Sequence, residues 1–345
     1  MIELKNDRMV FTFPGSHPGA KLFIEFQRTL RIPDDNKSYP LPPGLGTFPL
    51  RHVDDNAADV PADWLQRGGV MMPMYQSEAL WLNFQTSSVP QRGASYPFAI
   101  KIATGKQCAV SGEPWTENLV KQPQNYMVAP QQPWLDGYVV KKGQIRQFVA
   151  VPLGAGYSAE EQLTGTGEHG GIQIAVCPMK REVFERRFPI VEESGMRFSR
   201  MADMGMPRGG VALSCDMGLA PGGLMKQEIY DDPFDPNDWD QTASSRCFVH
   251  LCNSMVWKSI TGSDPPYPPA TAKQYSNANL PWFEWYDDSA TAIEATEKLK
   301  NLKSVATLSD EKSTVVLPEN ESVTPENVVA YRKGLQPGQV REGRF

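Results

Sequence analysis

Residues 138–151 read YVVKKGQIRQFVAV, and this stretch decides the fold class. β-Branched and aromatic residues fill both of its arms, and Lys142 and Gly143 supply a tight turn between them. The stretch therefore predicts a β-hairpin. Strand patterns of the same kind occur at 9–13, 21–32, 98–103, 171–177, 211–215, 227–230 and 246–252.

About ten strands without alternating helices favour a mainly β protein over a parallel α/β fold. We expect an antiparallel β sandwich or barrel-like core with few short helices and a C-terminal helical and extended tail. The β-rich core should span 1–288, either as one unit or as two packed β subdomains with a boundary near 180–210. The tail should span 289–345.

Three helices are predicted from their capping residues. Ser158 and Glu161 have the spacing of a capping box, which indicates one short helix. A run over 288–303 places apolar residues on one helical face, and Thr324-Pro325 begins a third helix that Gly334 would end.

Charge and hydropathy exclude several classes of partner. The net charge of −6 comes without any cluster of basic residues, so no nucleic-acid partner is expected. No apolar run approaches the roughly 20 residues of a membrane span, and the first residues lack the layout of a signal peptide. We therefore expect a cytoplasmic protein without a membrane span.

The metal-ligating residue types are not spaced as in zinc sites. The chain has four histidines and five cysteines, and the cysteines lie in apolar, strand-like contexts typical of reduced core residues. No cofactor is indicated. The acidic run 231–240 offers Asp231, Asp235 and Asp238 as weak calcium candidates, but it lacks the glycine and final glutamate of an EF-hand loop, and a solvated turn has the same composition.

Four stretches carry a resemblance to a known family: 30–35, 39–46, 69–81 and 280–283. They resemble a family of uncharacterised bacterial and fungal proteins whose members often carry the label "integral membrane protein". The hydropathy of this chain contradicts that label. The resemblance implies a family and no activity.

The pattern Pro-Trp-x-acid occurs three times, ending in Glu117, Asp136 and Glu284. An aromatic face beside a carboxylate is typical of sugar-binding surfaces, because the ring stacks on C–H groups and the acid accepts hydroxyl hydrogen bonds. A proline-fixed turn that buries a tryptophan needs the same residues. The candidate ligand-binding residues are Trp115, Trp134, Asp136, Trp282 and Glu284.

A glycine-rich loop at 165–171 contains Glu168 and His169, which are candidates for acid/base catalysis. Neighbouring residues of an extended segment point to opposite sides, so a flexible loop or a loop that contacts another subunit is the favoured interpretation. No nucleophile or phosphate-binding motif accompanies the pair.

Two functions follow from these patterns. The first is a non-catalytic, structural β scaffold that self-assembles into a homo-oligomer, suggested by the missing catalytic motifs and a methionine-rich segment at 196–206. The alternative is a carbohydrate-active or carbohydrate-binding β-sandwich protein that uses loop carboxylates and tryptophan platforms. A small-molecule or carbohydrate ligand is expected only under this alternative function.

Overall fold

A computed structural model describes residues 1–190, 216–287, 289–312, 323–325 and 327–333. The predicted strand at 211–215, the methionines at 196–206 and most of the suggested boundary near 180–210 lie outside these ranges. The strands are β1 Ile2–Lys5, β2 Arg8–Thr12, β3 Lys21–Thr29, β4 Ser38–Tyr39, β5 Gly44–Thr47, β6 Arg51–His52, β7 Val70–Met74, β8 Ala79–Thr86, β9 Ser88–Val89, β10 Ala94–Ser95, β11 Phe98–Thr104, β12 Gln107–Cys108, β13 Met127–Ala129, β14 Trp134–Leu135, β15 Gly137–Lys141, β16 Gln144–Pro152, β17 Ile172–Pro178, β18 Met217–Lys226, β19 Ser245–Asn253, β20 Trp282–Asp287 and β21 Val328–Lys333. The helices are α1 Ala62–Arg67, α2 Ala159–Thr164, α3 Arg181–Arg187, α4 Ser254–Thr261, α5 Ala272–Asn277, α6 Glu297–Lys300 and α7 Val305–Glu311.

The strands form two large sheets. The first has the order β1-β2-β3-β8-β16-β18-β4, with β5 beside β3, β14 beside β8 and β15 beside β16. The second has the order β12-β11-β17-β19-β7-β6, with β13 beside β11. Within these two sheets pairing is antiparallel except between β18 and β4 and between β19 and β7. Two small sheets, β9 with β10 and β20 with β21, complete the strand pairs.

The two large sheets pack face to face around one main hydrophobic core. Their inward side chains belong to the same buried cluster, and the Phe13 and Phe98 rings meet 5.8 Å apart. The hydroxyls of Thr104 and Tyr138 also form a buried hydrogen bond of 2.7 Å between the sheets. A mainly β, sandwich-like fold with few short helices is thus confirmed, and neither sheet closes into a barrel within the described residues.

The hairpin predicted at 138–151 is present as β15 and β16. Gly143 occupies the turn with φ of 72°, a conformation that a side chain would strain. The capping box predicted at Ser158 is also present, since its hydroxyl accepts from the Glu161 N–H and the Glu161 carboxylate accepts from the Ser158 N–H. Both predictions are confirmed.

Two of the predicted helices are wrong. Over the described residues 289–303 only α6 is helical, because Ala292 bridges to Tyr230 and the Ile293 N–H donates to the Ile229 carbonyl. The stretch expected to form a helix after Thr324 instead supplies β21, which pairs in parallel with β20. In both places hydrogen bonds to distant segments outweigh the local helix signal.

Helix α7 packs on the sandwich instead of projecting from it. Val305 is fully buried in a small cluster with Val151 and Ala220, and the Ala306 N–H donates to the Asp34 carboxylate at 2.9 Å. Among the described helices, none is both long and apolar enough to cross a membrane.

Candidate functional site

An aromatic cleft of about 370 Å³ lies between the first large sheet and the small β20–β21 sheet. This volume is within the range of small-molecule sites. We call it the aromatic cleft, and its lining residues are Leu41, Pro42, Pro43, Gly44, Trp81, Trp134, Asp136, Phe283, Trp285 and Tyr331.

The sheet supplies the floor of the cleft. Trp81 lies in β8 between Leu80 and Leu82, which are buried in the main core, so its ring points to the opposite face. Trp134 and Asp136 flank Leu135, which is also buried in the core, and alternation places both on the cleft side.

The β20–β21 sheet supplies the facing wall. Leu41 and Phe283 exchange two backbone hydrogen bonds of 2.8 and 2.7 Å, which hold β20 against the loop 41–44. Strand alternation then turns Phe283 and Trp285 towards the cleft. Tyr331 pairs in register with Trp285 and stacks on Phe283, with ring centroids 5.9 Å apart.

Where the sheet and the β20–β21 wall meet, the indole rings of Trp134 and Trp285 form a corner. The Trp134 and Trp285 rings lie 5.4 Å apart at an interplanar angle of 69°, so a ligand in this corner would contact two aromatic surfaces of different orientation. Gly44 lets the loop approach closely, because an added Cβ would lie 2.8 Å from the Gln27 side-chain oxygen and 3.3 Å from the Trp81 ring.

Asp136 is the acidic group of the cleft. It is only 3% exposed, and its carboxylate accepts one hydrogen bond of 2.7 Å from the Gln227 amide. No cation among the described residues forms an ion pair with it. Burial raises the pKa of Asp136 to about 7, opposed in part by the Gln227 hydrogen bond. The cleft therefore contains a carboxyl group that changes charge near neutral pH.

Two indole N–H groups of the cleft residues lack acceptors. The Nε1 atoms of Trp81 and Trp285 are buried, and neither finds a hydrogen-bond partner in the described part of the chain. Buried donors are normally paired, so an unpaired one needs an explanation. A ligand that carries oxygen acceptors would supply partners once a ring tilts towards it, whereas a hydrocarbon ligand would not.

The structure brings together two of the five predicted ligand-binding residues, Trp134 and Asp136. Trp282 is buried against Tyr39 and Tyr275 and points away from the cleft. Glu284 pairs with Lys226 at 2.6 Å and does not line the cleft.

Trp115 lies in a different part of the molecule. The ammonium group of Lys101 sits 5.0 Å from its ring centroid and donates hydrogen bonds to the Thr116 and Asn118 carbonyls. Trp115 also borders a separate depression of about 460 Å³ with Arg246. This tryptophan covers a buried lysine and does not line the aromatic cleft.

The glycine-rich loop is held by Glu160, a residue that the sequence reasoning missed. One Glu160 oxygen accepts from the Glu168 and His169 N–H groups, and the other accepts from the Gly170 N–H. The Glu168 side chain is exposed, and burial lowers the pKa of His169. Neither candidate side chain lines the aromatic cleft or the depression beside Trp115.

The weak metal candidates belong to a folded turn. Asp235 accepts from the Asn237 N–H at its N-cap, and Asp238 pairs with Arg187 at 2.8 Å. Asp231 donates its backbone N–H to the Thr291 carbonyl. Within the described ranges, no three His, Cys, Asp or Glu side chains are grouped as a metal site requires.

Comparison of the chain with family models, with curated proteins and with solved structures gave no match. The chemistry of the aromatic cleft therefore follows from its own residues.

Proposed function

We propose that this β-sandwich protein binds a carbohydrate in the aromatic cleft. The observation that carries the proposal is the convergence of five aromatic residues and one buried carboxyl group from four separate parts of the chain. Aromatic rings stack on the C–H faces of a pyranose ring, while carboxylates and indole N–H groups bind its hydroxyls.

The polar atoms of the cleft favour a sugar over a hydrocarbon. An apolar ligand would bury the Asp136 carboxyl group further without giving it a partner, which is costly. A pyranose offers a hydroxyl to Asp136, and it offers an acceptor to the indole N–H groups of Trp81 and Trp285 once their rings tilt towards it. Its ring atoms would meanwhile contact the corner between Trp134 and Trp285.

The single carboxyl group favours binding over catalysis. Most glycosidases require two carboxyl groups about 5–10 Å apart on either side of the bond that is cleaved. Among the described residues, Asp136 is the one acid that lines the cleft, and the neighbouring Glu284 is paired with Lys226. We therefore propose a non-catalytic role.

Calorimetric titration with a panel of neutral, basic and acidic mono- and oligosaccharides tests this function. At least one should bind, and Trp134→Ala should weaken binding about tenfold, since stacking on one aromatic ring contributes about 1 kcal/mol or more. The matched control is Trp115→Ala, which removes a half-buried tryptophan outside the cleft and should leave affinity unchanged. A panel without any binder would refute the proposal.

Homo-oligomeric assembly remains a separate prediction. Val328 and Tyr331 on β21 are 43% and 51% exposed. Exposed apolar side chains of this kind can contact a second copy. Light scattering that returns a mass near 38.4 kDa at micromolar concentration would exclude it. A cytoplasmic location likewise remains a proposal.

A further inference from the structure

The charge of Asp136 restricts the kind of sugar that the aromatic cleft can take. A neutral pyranose leaves a buried carboxylate without a counter-charge, and an acidic sugar adds repulsion. We infer that the aromatic cleft selects an amino sugar, a pyranose that carries a free ammonium group. This inference rests on the proposed function and names its ligand class.

The geometry suits an ammonium group attached to a ring. Asp136 lies two residues from Trp134 on the same side of the chain, so a pyranose stacked on that indole would place a substituent within reach of the carboxylate. Aromatic faces also attract cations through their quadrupole. The indole corner of Trp134 and Trp285 therefore favours the charge of the ligand as well as its C–H groups.

Two lysines of the first large sheet and its β15–β16 turn already have partners. Lys226 pairs with Glu284 at 2.6 Å, and Lys142 lies 3.8 Å from Glu294. Gln227 is neutral and binds one oxygen of Asp136. Within the described chain no protein cation competes for this carboxylate, so an ammonium group would complete the site.

Affinities for four methyl glycosides at pH 7 test the inference: the glucosaminide with a free amino group, its N-acetyl derivative, the glucoside and the glucuronide. We expect the glucosaminide to bind about tenfold or more tightly than the glucoside, because a charge-assisted hydrogen bond is about twice as strong as a neutral one. The N-acetyl derivative should resemble the glucoside, and the glucuronide should bind most weakly.

Variants assign the preference to one carboxylate. Asp136→Asn keeps the shape and the acceptor for Gln227, and it should reduce the preference for the glucosaminide to within about twofold. The matched control is Glu284→Gln, which removes the carboxylate between Phe283 and Trp285. This variant should keep the full preference for the glucosaminide over the glucoside. Equal loss in both variants would overturn the assignment to Asp136.

The wild-type protein provides a measurement that needs no variant. Raising the salt concentration should weaken binding of the glucosaminide modestly and leave binding of the glucoside unchanged, because only the former adds an ion pair and a buried pair is screened less than an exposed one. Equal affinity and equal salt response for the two would overturn the inference and leave carbohydrate binding standing. Choline binding as tightly as the glucosaminide would overturn the sugar part, and absence of binding by all probes would refute the proposed function itself.

Discussion

Replacing Asp136 by asparagine should stabilise the folded protein above neutral pH. Burial raises the pKa of this carboxyl group from 3.8 to about 7, so the folded state holds its proton over a range where the unfolded chain has lost it. Between about pH 4 and pH 7 the folded state binds more protons than the unfolded chain does, so the free energy of unfolding falls as the pH rises. Above pH 7 the buried Asp136 carboxyl group is charged in the folded state, so the full loss of stability is present.

The magnitude follows from the pKa change. A tenfold change in a protonation equilibrium corresponds to about 1.4 kcal/mol, so the rise from 3.8 to about 7 corresponds to about 4 kcal/mol at most. Asparagine has nearly the same volume and still accepts from Gln227, and it never carries the charge. Asp136→Asn should therefore match the wild type near pH 4 and exceed it by up to about 4 kcal/mol at pH 8.

Urea denaturation of both proteins at pH 4, 5, 6, 7 and 8 measures this difference. Other groups that titrate in this range are shared by the two proteins, so they cancel in the comparison. Glu284→Gln is the control and should follow the wild-type pH dependence, because Asp136 is intact in it. If Asp136→Asn is less stable than the wild type by the same amount at every pH, the reasoning about Asp136 is wrong.

Three further predictions concern other parts of the molecule. Glu160→Ala should cost about 3 kcal/mol in urea denaturation, because three backbone N–H groups lose their acceptor, whereas the exposed Glu168→Gln should cost within about 0.5 kcal/mol. Chelator should leave the melting temperature unchanged, since the acidic turn at 231–240 uses its carboxylates within the protein; a shift of several degrees would contradict this. Deleting 323–345 should weaken saccharide binding by removing Tyr331 and leave the sandwich folded by circular dichroism, and undiminished affinity would show that β21 is not a wall of the site.

The sandwich could be predicted because its strands can be recognised from short, local stretches of sequence. The arms of the 138–151 hairpin carry β-branched residues and a glycine turn, and no distant partner is needed to recognise them. The predictions of helices at 288–303 and after Thr324 were wrong for the opposite reason. The backbone groups of these segments pair with Ile229 and with β20, and such long-range pairing leaves no local signature.

Some of the residues that line the cleft could be predicted from the sequence. The Pro-Trp-x-acid pattern identified Trp134 and Asp136, whose shared face follows from their spacing of two. The same pattern placed equal weight on Trp115 and Trp282, which the fold uses to cover Lys101 and to fill the core. Only the arrangement of sheets distinguishes these outcomes.

Other cleft residues carried weaker signals. Phe283 and Trp285 alternate within one strand, which could have indicated a shared aromatic face. Trp81 looks like any outward residue of a half-buried strand, and Tyr331 lies in a segment that the sequence assigns to a helix. Their convergence depends on β20 docking through Leu41, a contact between residues more than two hundred positions apart.

That docking contact also sets an order of events during synthesis on the ribosome. Every strand of the two large sheets precedes residue 254, whereas the wall of the cleft begins at Trp282 and ends in β21. Because a nascent chain folds from its N-terminal part first, the sandwich can form before the wall has been translated. Ligand capture would then report that translation had passed residue 331, which no measurement of the sandwich itself could show.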